Sequence, residues 1–327
     1  MSFVNIIQGL LLAFAVVVIL MPAYIRFLRF LGMGKQILEE GPESHQVKRG
    51  TPTMGGLLII GVVLGLFVLM RGVPQFGVIA PIATLLLVGG LGGVDDYLNA
   101  RTGEGISARQ KMLWLVVVSA FAAYQIQTTY AIGSIAVPFV GDVPIHPAVY
   151  IAFAAFAIIA AANGVNLTDG LDGLAGGTLV FAFVAFVFVA LLNQPQQPNL
   201  AVLCALIVGA LLGFLWFNVH PAQIFMGDSG SLALGATLAV TALITSQILI
   251  LPLVGLVFVI ETLSVIIQVG YFKATGGRRI FRMSPLHYHY ELAGWDEEKI
   301  TLRFWIVGII AGLIGVTLFL ASINRLS

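Results

Sequence analysis

Ten long apolar runs dominate the chain, at roughly 4–25, 54–70, 76–94, 112–129, 147–163, 175–192, 199–217, 231–249, 251–271 and 304–323. Most are close to the about 20 residues a helix needs to cross the hydrocarbon core of a bilayer. They are continuous, unlike the alternating segments of about ten residues that build outer-membrane barrels. The pattern therefore predicts an all-α polytopic membrane protein with about ten transmembrane helices, and these fill residues 1–327 as one integral membrane domain. One gap breaks the rule. From Thr128 to His146, Gly133, Pro138, Gly141-Asp142 and Pro144 stand among β-branched and aromatic residues, which predicts a short β-hairpin on the outer surface.

The polar positions are as ordered as the apolar ones. The first, third, fifth, seventh and ninth gaps hold Asp95, Asp96, Asp169, Asp172, Asp228, His45, His287, His289 and most lysines and arginines. The other gaps hold little beyond Arg71, Asp142 and His146. Alternate gaps share a side of the bilayer, so the ionisable groups collect on one face, as an active site requires. Lysine and arginine mark the cytoplasmic side, so this face is cytoplasmic and both termini lie outside. Residues Met1 to Asn5 carry no basic group, and the first run reads as a retained helix rather than a cleaved signal. Composition agrees: 59% of residues are hydrophobic, 9% are charged and the mean hydropathy is +1.02. Soluble domains carry about 25% charged residues. Cys204, mid-run and without a second cysteine, reads as a packing residue.

Asp95-Asp96 follows Gly89-Gly90-Leu91-Gly92-Gly93-Val94 at the end of a run. Adjacent carboxylates there repel one another unless a cation shares the site. Mg²⁺ prefers one or two carboxylates completed by phosphate oxygens, and a carboxylate that resists ionisation is suited to accept a proton. The plain alternative is an exposed helix end that happens to carry two acids. The fifth gap, Asn163 to Gly177, sets Asn166, Thr168, Asp169 and Asp172 among glycines that admit close backbone approach. It lacks the glutamate that closes a calcium loop, and turn chemistry alone accounts for part of its composition. In the seventh gap, Asp228-Ser229-Gly230-Ser231 fits a helix N-cap as well as a ligand site. The first gap brings a basic, glycine-rich approach from His45 to Gly56. The ninth brings Arg278, Arg279 and Arg282, then Pro285-Leu286-His287-Tyr288-His289-Tyr290-Glu291. Its alternate histidines lack a zinc spacing. Glu261 lies inside the ninth run, where an acid is costly unless it faces protein or water, and reads as a structural hydrogen-bonding group.

These five segments, in this order, resemble the polyprenyl-phosphate N-acetylhexosamine-1-phosphate transferase superfamily over nearly the whole chain. The stretches from His45 to Gly56 and from Pro285 to Glu291 resemble the branch that takes UDP-MurNAc-pentapeptide as donor and undecaprenyl phosphate as acceptor. The resemblance implies ten helices, a cytoplasmic cleft open to the inner leaflet of the bacterial cytoplasmic membrane, Mg²⁺ dependence and a homodimer among membrane lipids. It implies release of UMP as lipid I forms, and nothing points to nucleic acid as a partner. Asp95 and Asp96 match the family's aspartate pair, Asp228 its metal-coordinating aspartate, and Lys111 a lysine that handles phosphate. His287 matches the first histidine of the histidine motif, which implies a catalytic part in balancing charge with Lys48 and Lys111, and His289 stands beside it on the substrate side. Lys48, Asp169, Asn218 and Phe225 look like nucleotide-side positions, Phe225 stacking on uracil. Asn166 and Asp172 match polar positions of the central loop. Two departures stand out: Tyr288 interrupts a run of three histidines, and Asn99 replaces a lysine three positions after the aspartate pair.

The implied reaction suits the residues, since cleavage of a diphosphate needs a metal and cations around the phosphoryl oxygens. Either the lipid phosphate attacks directly, with Asp95 or Asp96 as base, or an aspartate attacks first and forms a covalent intermediate. Two other readings are weighed. A relative using UDP-GlcNAc would share most motifs, and an ion-coupled transporter would share intramembrane acids and broken helices. Transport sites, however, sit near the bilayer midplane, whereas these acids cluster at one edge.

Overall fold

A computed structural model describes residues 3–34, 48, 50–71 and 76–326. His45 and its neighbours in the first gap lie outside the described residues. Ten apolar helices coincide with the ten runs: α1 (Phe3–Phe30), α2 (Gly55–Arg71), α3 (Ile79–Thr102), α4 (Ala108–Tyr130), α5 (Pro147–Thr168), α6 (Leu174–Leu192), α7 (Pro198–Asn218), α8 (Asp228–Ile244), α10 (Leu256–Ala274) and α12 (Glu297–Leu326). The ninth run opens with one extra turn, α9 (Leu251–Val254), and α11 (Leu286–Glu291) is a short helix in the last polar gap. Among the described residues, eight helices are long and apolar enough to cross a membrane; α2 and α8 are apolar but shorter. The chain is an all-α polytopic membrane protein.

The centre is built from α7 and α8. Every residue of α8 from Ser229 to Ile244 is buried, and α7 packs against α1 and α6. α3 and α5 flank α8 on its other sides. Two glycines make the closest approach possible. A side-chain carbon on Gly56 would stand 2.2 Å from Gly230, and one on Gly92 would stand 2.4 Å from the backbone of Asp228. These helix ends are therefore drawn to backbone contact at the polar face.

The expected hairpin is present. β1 (Ser134–Val137) pairs antiparallel with β2 (Gly141–Pro144), with Ser134 opposite Pro144 and Val137 opposite Gly141. It lies at the end of the bundle away from the acids, where the Tyr130 hydroxyl donates to Gly77 O at 2.7 Å.

Helix limits differ from the apolar runs at the polar face, and the difference matters. α3 runs on to Thr102 and ends at Gly103, whose φ of 77° is left-handed. Asp95 and Asp96 are thus inside a helix, not after it. α12 starts at Glu297, well before the apolar stretch, so its first turns stand in the polar face. The hydrocarbon thickness fixes the length of an apolar run, but backbone hydrogen bonding carries a helix on into water.

Candidate active site

Successive helical residues point roughly 100° apart, and this separates the two aspartates. Asp95 turns toward α4: its Oδ2 accepts from Lys111 Nζ at 2.8 Å and its Oδ1 from the backbone N–H of Ile106 at 2.6 Å. Asp96 turns toward α8 and accepts the backbone N–H groups of Asp228 at 3.0 Å and Ser229 at 3.1 Å. The first residues of a helix have N–H groups without partners inside it, and an anion there also meets the positive end of the helix dipole. Asp96 supplies that cap from a neighbouring helix. Gly227, with φ 74°, holds the N-cap position and has no side chain to contribute. The N-cap role open to Asp228 in the sequence is therefore filled by Asp96, and the Asp228 side chain is left for other contacts.

Those contacts close the first cluster. Lys111 Nζ reaches Asp228 Oδ2 at 2.5 Å, so one ammonium bridges Asp95 and Asp228. Asn166 Nδ2, from the last turn of α5, donates to Asp228 Oδ1 at 2.8 Å and to Ser231 Oγ at 2.9 Å. Two carboxylates face one ammonium, a net negative cradle of hard oxygen donors. The Asp228 side chain is the open one, 23% exposed against 6% for Asp95.

The second cluster surrounds Asp172, in the loop between α5 and α6. Lys48 Nζ lies 2.8 Å from Asp172 Oδ1 and 2.6 Å from Glu297 Oε1. Asp172 Oδ2 faces His220 Nδ1 at 3.0 Å and accepts the backbone N–H of Ala222 at 3.0 Å. The loop is strapped to one face of α12. Glu297 accepts the backbone N–H of Asp172 at 2.6 Å, Thr301 Oγ1 donates to Asp172 O at 3.1 Å, and Trp305 Nε1 donates to Gly173 O at 3.2 Å. Residues spaced by four lie on one side of a helix, so these three form a single ladder. Asn218 braces the same loop from α7: its Oδ1 accepts from Gly173 N at 3.1 Å and its Nδ2 donates to Ile224 O at 2.9 Å. Leu171, Leu174 and Ile300 pack beneath, with Tyr288, Tyr290, Trp295 and Phe304 around them.

Asp172, His220 and Glu297 also form a group of possible metal ligands, with ligand atoms within 4.8 Å of one another. Each cluster already holds one ammonium between two carboxylates, Lys48 here and Lys111 in the first. They differ in the third donor: a hard divalent ion such as Mg²⁺ takes oxygen ligands in preference to the imidazole of His220.

Phe225 is half-buried, and its main chain stitches the first gap to the seventh. Its N–H donates to Pro52 O at 2.8 Å and its carbonyl accepts from Gly55 N at 2.9 Å. Asp169 closes the C-terminus of α5 and is half-buried. His287 opens α11 and is completely buried, with its ring edge-on to Tyr288 at 4.1 Å between centroids. His289, half-buried, accepts the backbone N–H of Arg282 on Nδ1 at 3.1 Å. Burial, aided by the carboxylates of Glu291, Asp169, Glu297 and Glu261, pushes the Tyr288 phenol up to about 12. Tyr288 is thus a neutral group where the resemblance expects a histidine.

All five polar gaps contribute to this region. The loop after α5 joins its parts: Asn166 touches Asp228, Gly170 abuts His287, and Asp172 holds Lys48. Sequence reading missed Glu297 and His220 as members. The four-residue spacing of Glu297, Thr301 and Trp305 was the available signal, hidden because the helix start was placed too late.

Comparison with known proteins places this bundle in a class first. Residues 78–246, just over half of the chain, match the model of Glycosyl transferase family 4. Residues 48–60 match the phospho-N-acetylmuramoyl-pentapeptide-transferase signature 1. Among curated relatives, the phospho-N-acetylmuramoyl-pentapeptide-transferase of Desulfosudis oleivorans is 44% identical over 346 residues, covering 97% of this chain and 95% of its own length. The one from Chloroflexus aurantiacus is 43% identical over 324 residues, covering 94% of this chain and 88% of its own. That of a Geobacillus species is 43% identical over 318 residues, covering 95% and 96%. The chain belongs to the phospho-N-acetylmuramoyl-pentapeptide-transferase family.

Proposed function

We propose that this protein transfers phospho-MurNAc-pentapeptide from UDP-MurNAc-pentapeptide to undecaprenyl phosphate, giving lipid I and UMP for peptidoglycan synthesis. The observation that carries the reading is Lys111 held between Asp95 and Asp228. It joins a candidate base, a phosphate-binding cation and a candidate metal ligand within one ion-paired group. The site lies on the cytoplasmic face of the bacterial inner membrane, ten helices cross the bilayer, and both termini lie outside. The basic residues of the alternate gaps support that orientation.

Asp228, with Asp95 beside it, would hold Mg²⁺, which when bound supplies positive charge to the diphosphate oxygens. Asp95 takes the proton of the lipid phosphate or orients it. An oxygen of that phosphate forms the new bond to the sugar-linked phosphorus, and the bond from that phosphorus to the UMP oxygen breaks. Lys111 balances charge on the phosphoryl oxygens as they reorganise. Asp95 is assigned the proton because it faces Lys111 and the open Asp228 side chain, whereas Asp96 faces the first N–H groups of α8. Lys48, Asp169 and Asp172 serve the UDP side, with Phe225 at its edge.

The test uses purified full-length protein in detergent with undecaprenyl phosphate and, separately, UDP-MurNAc-pentapeptide and UDP-GlcNAc, reading UMP release. Release with the first donor alone, abolished by chelation and restored by Mg²⁺, is the expected result. Asp228→Asn should lose Mg²⁺-dependent turnover while melting like the parent; full activity in that variant removes Asp228 from the metal site. Release with UDP-GlcNAc instead overturns the choice of donor.

A further inference from the structure

Glu261 lies within α10 and is completely buried. A carboxylate in such a place persists only when it is paired. Among the described residues its carboxylate pairs with the start of α11: the backbone N–H of His287 donates to it at 3.2 and 3.4 Å, and His287 Nδ1 lies 3.1 Å from Oε2. The contact to Nδ1 is off the line of a hydrogen bond, and among the described residues neither ring nitrogen has an aligned partner. The far edge of the ring abuts Gly170. A side-chain carbon at Gly170 would stand 2.3 Å from His287 Nε2 and 3.0 Å from the Tyr288 hydroxyl. The φ of Gly170 is not left-handed, so space, rather than backbone freedom, calls for glycine there. Two helical turns along the same face of α10, Gln268 fixes the incoming strand of this loop. Its Oε1 accepts the N–H groups of Ile280 and Phe281, each at 3.0 Å.

We infer that Glu261 is a positioning residue for the donor site, acting through His287 as a spacer that sets the height of Gly170. Asp169 and Asp172 flank that glycine, so the placement of both carboxylates follows from an acid side chain inside the membrane-spanning helix. The inference rests on the reading that this loop meets the UDP half of the donor. It also changes the part played by His287, which supports the loop from beneath and does not touch the substrate.

The experiment measures donor KM, kcat and UMP affinity with Mg²⁺ for full-length Glu261→Gln, Gly170→Ala, His287→Ala and the Gly170→Ala/His287→Ala pair. Glu261→Gln should raise KM and weaken UMP about tenfold, in the range seen when the outer partner of a functional histidine is lost, with a smaller change in kcat. Gly170→Ala should weaken UMP comparably, and removing the ring in the pair should recover part of that loss. A Glu261→Gln protein with parental KM and UMP affinity overturns the inference. So does a double variant no better than Gly170→Ala alone, and this comparison decides the matter if Glu261→Gln does not fold. A parent protein that neither binds UMP nor releases it from the donor sinks the proposed activity instead, a result distinct from either.

Discussion

The carboxylate of Asp96 holds the backbone of Asp228, taking its N–H at 3.0 Å and that of Ser229 at 3.1 Å. Asp96 is thus the cap of a helix it does not belong to, and it leaves the Asp228 side chain turned toward Lys111 and Asn166. The neighbouring Asp95 points elsewhere and meets Lys111 from the other side. Two adjacent acids of one type therefore have different work.

That division predicts opposite phenotypes. Asp96→Ala strands two buried N–H groups and should cost about 1–3 kcal/mol, the penalty for unsatisfied buried donors, seen as a lowered melting temperature in detergent. Asp95→Asn should melt within a degree or so of the parent yet lose about 10²- to 10⁴-fold in turnover, the usual contribution of a positioned base. Parental melting of Asp96→Ala would contradict the capping role.

Lys48 is nearly enclosed with Asp172 and Glu297, and breaking such a group exposes uncompensated charge. Lys48→Met should destabilise by about 3–5 kcal/mol and weaken donor binding. Adding Glu297→Gln removes one of the stranded carboxylates, so the double variant should be more stable than Lys48→Met. Unfolding curves for the four proteins give the coupling directly; strict additivity would mean the ion pair contributes nothing.

Tyr288 gives a pH dependence with a definite sign. Its phenol stands at about 12 in the folded protein against 10.0 unperturbed, because burial and nearby carboxylates disfavour the phenolate. The folded state therefore holds this proton more tightly than the unfolded one, and the stability involved is complete below the unfolded value. It is lost as pH rises from about 10 through about 12. Alkaline unfolding of the parent and of Tyr288→Phe should run parallel below that window and diverge within it, the parent losing stability faster. Parallel curves throughout would show an ordinary, solvated phenol.

The sequence displayed the helices and the gathering of polar residues because both follow from the bilayer, which demands apolar length and sorts charge by side. The hairpin between Ser134 and Pro144 was legible for a different reason: its turn residues carry their own local geometry. What stayed hidden depends on where side chains point after packing. Asp95 and Asp96 read as one repelling pair until helix α3 continued past them and turned them apart. Glu297 was invisible because an apolar window begins only where the hydrocarbon begins, while α12 starts in the polar layer. Glu261 carried a real signal, an acid in an apolar run, but its partner lies 26 residues away in a short helix.

The ladder of Glu297, Thr301 and Trp305 has a bearing on biosynthesis. The segment from Asp169 to Gly173 leaves the ribosome long before these three residues do, with 125 positions separating Asp172 from Glu297. Until the final helix is made and inserted, that segment lacks its strap, and Lys48 lacks one of its two counter-charges. A nascent chain halted before α12 would already contain both aspartates of α3 and the aspartate that opens α8, yet would lack the strap across the Asp172 loop. The Asp172 loop thereby gains its full set of contacts only once α12 has been made.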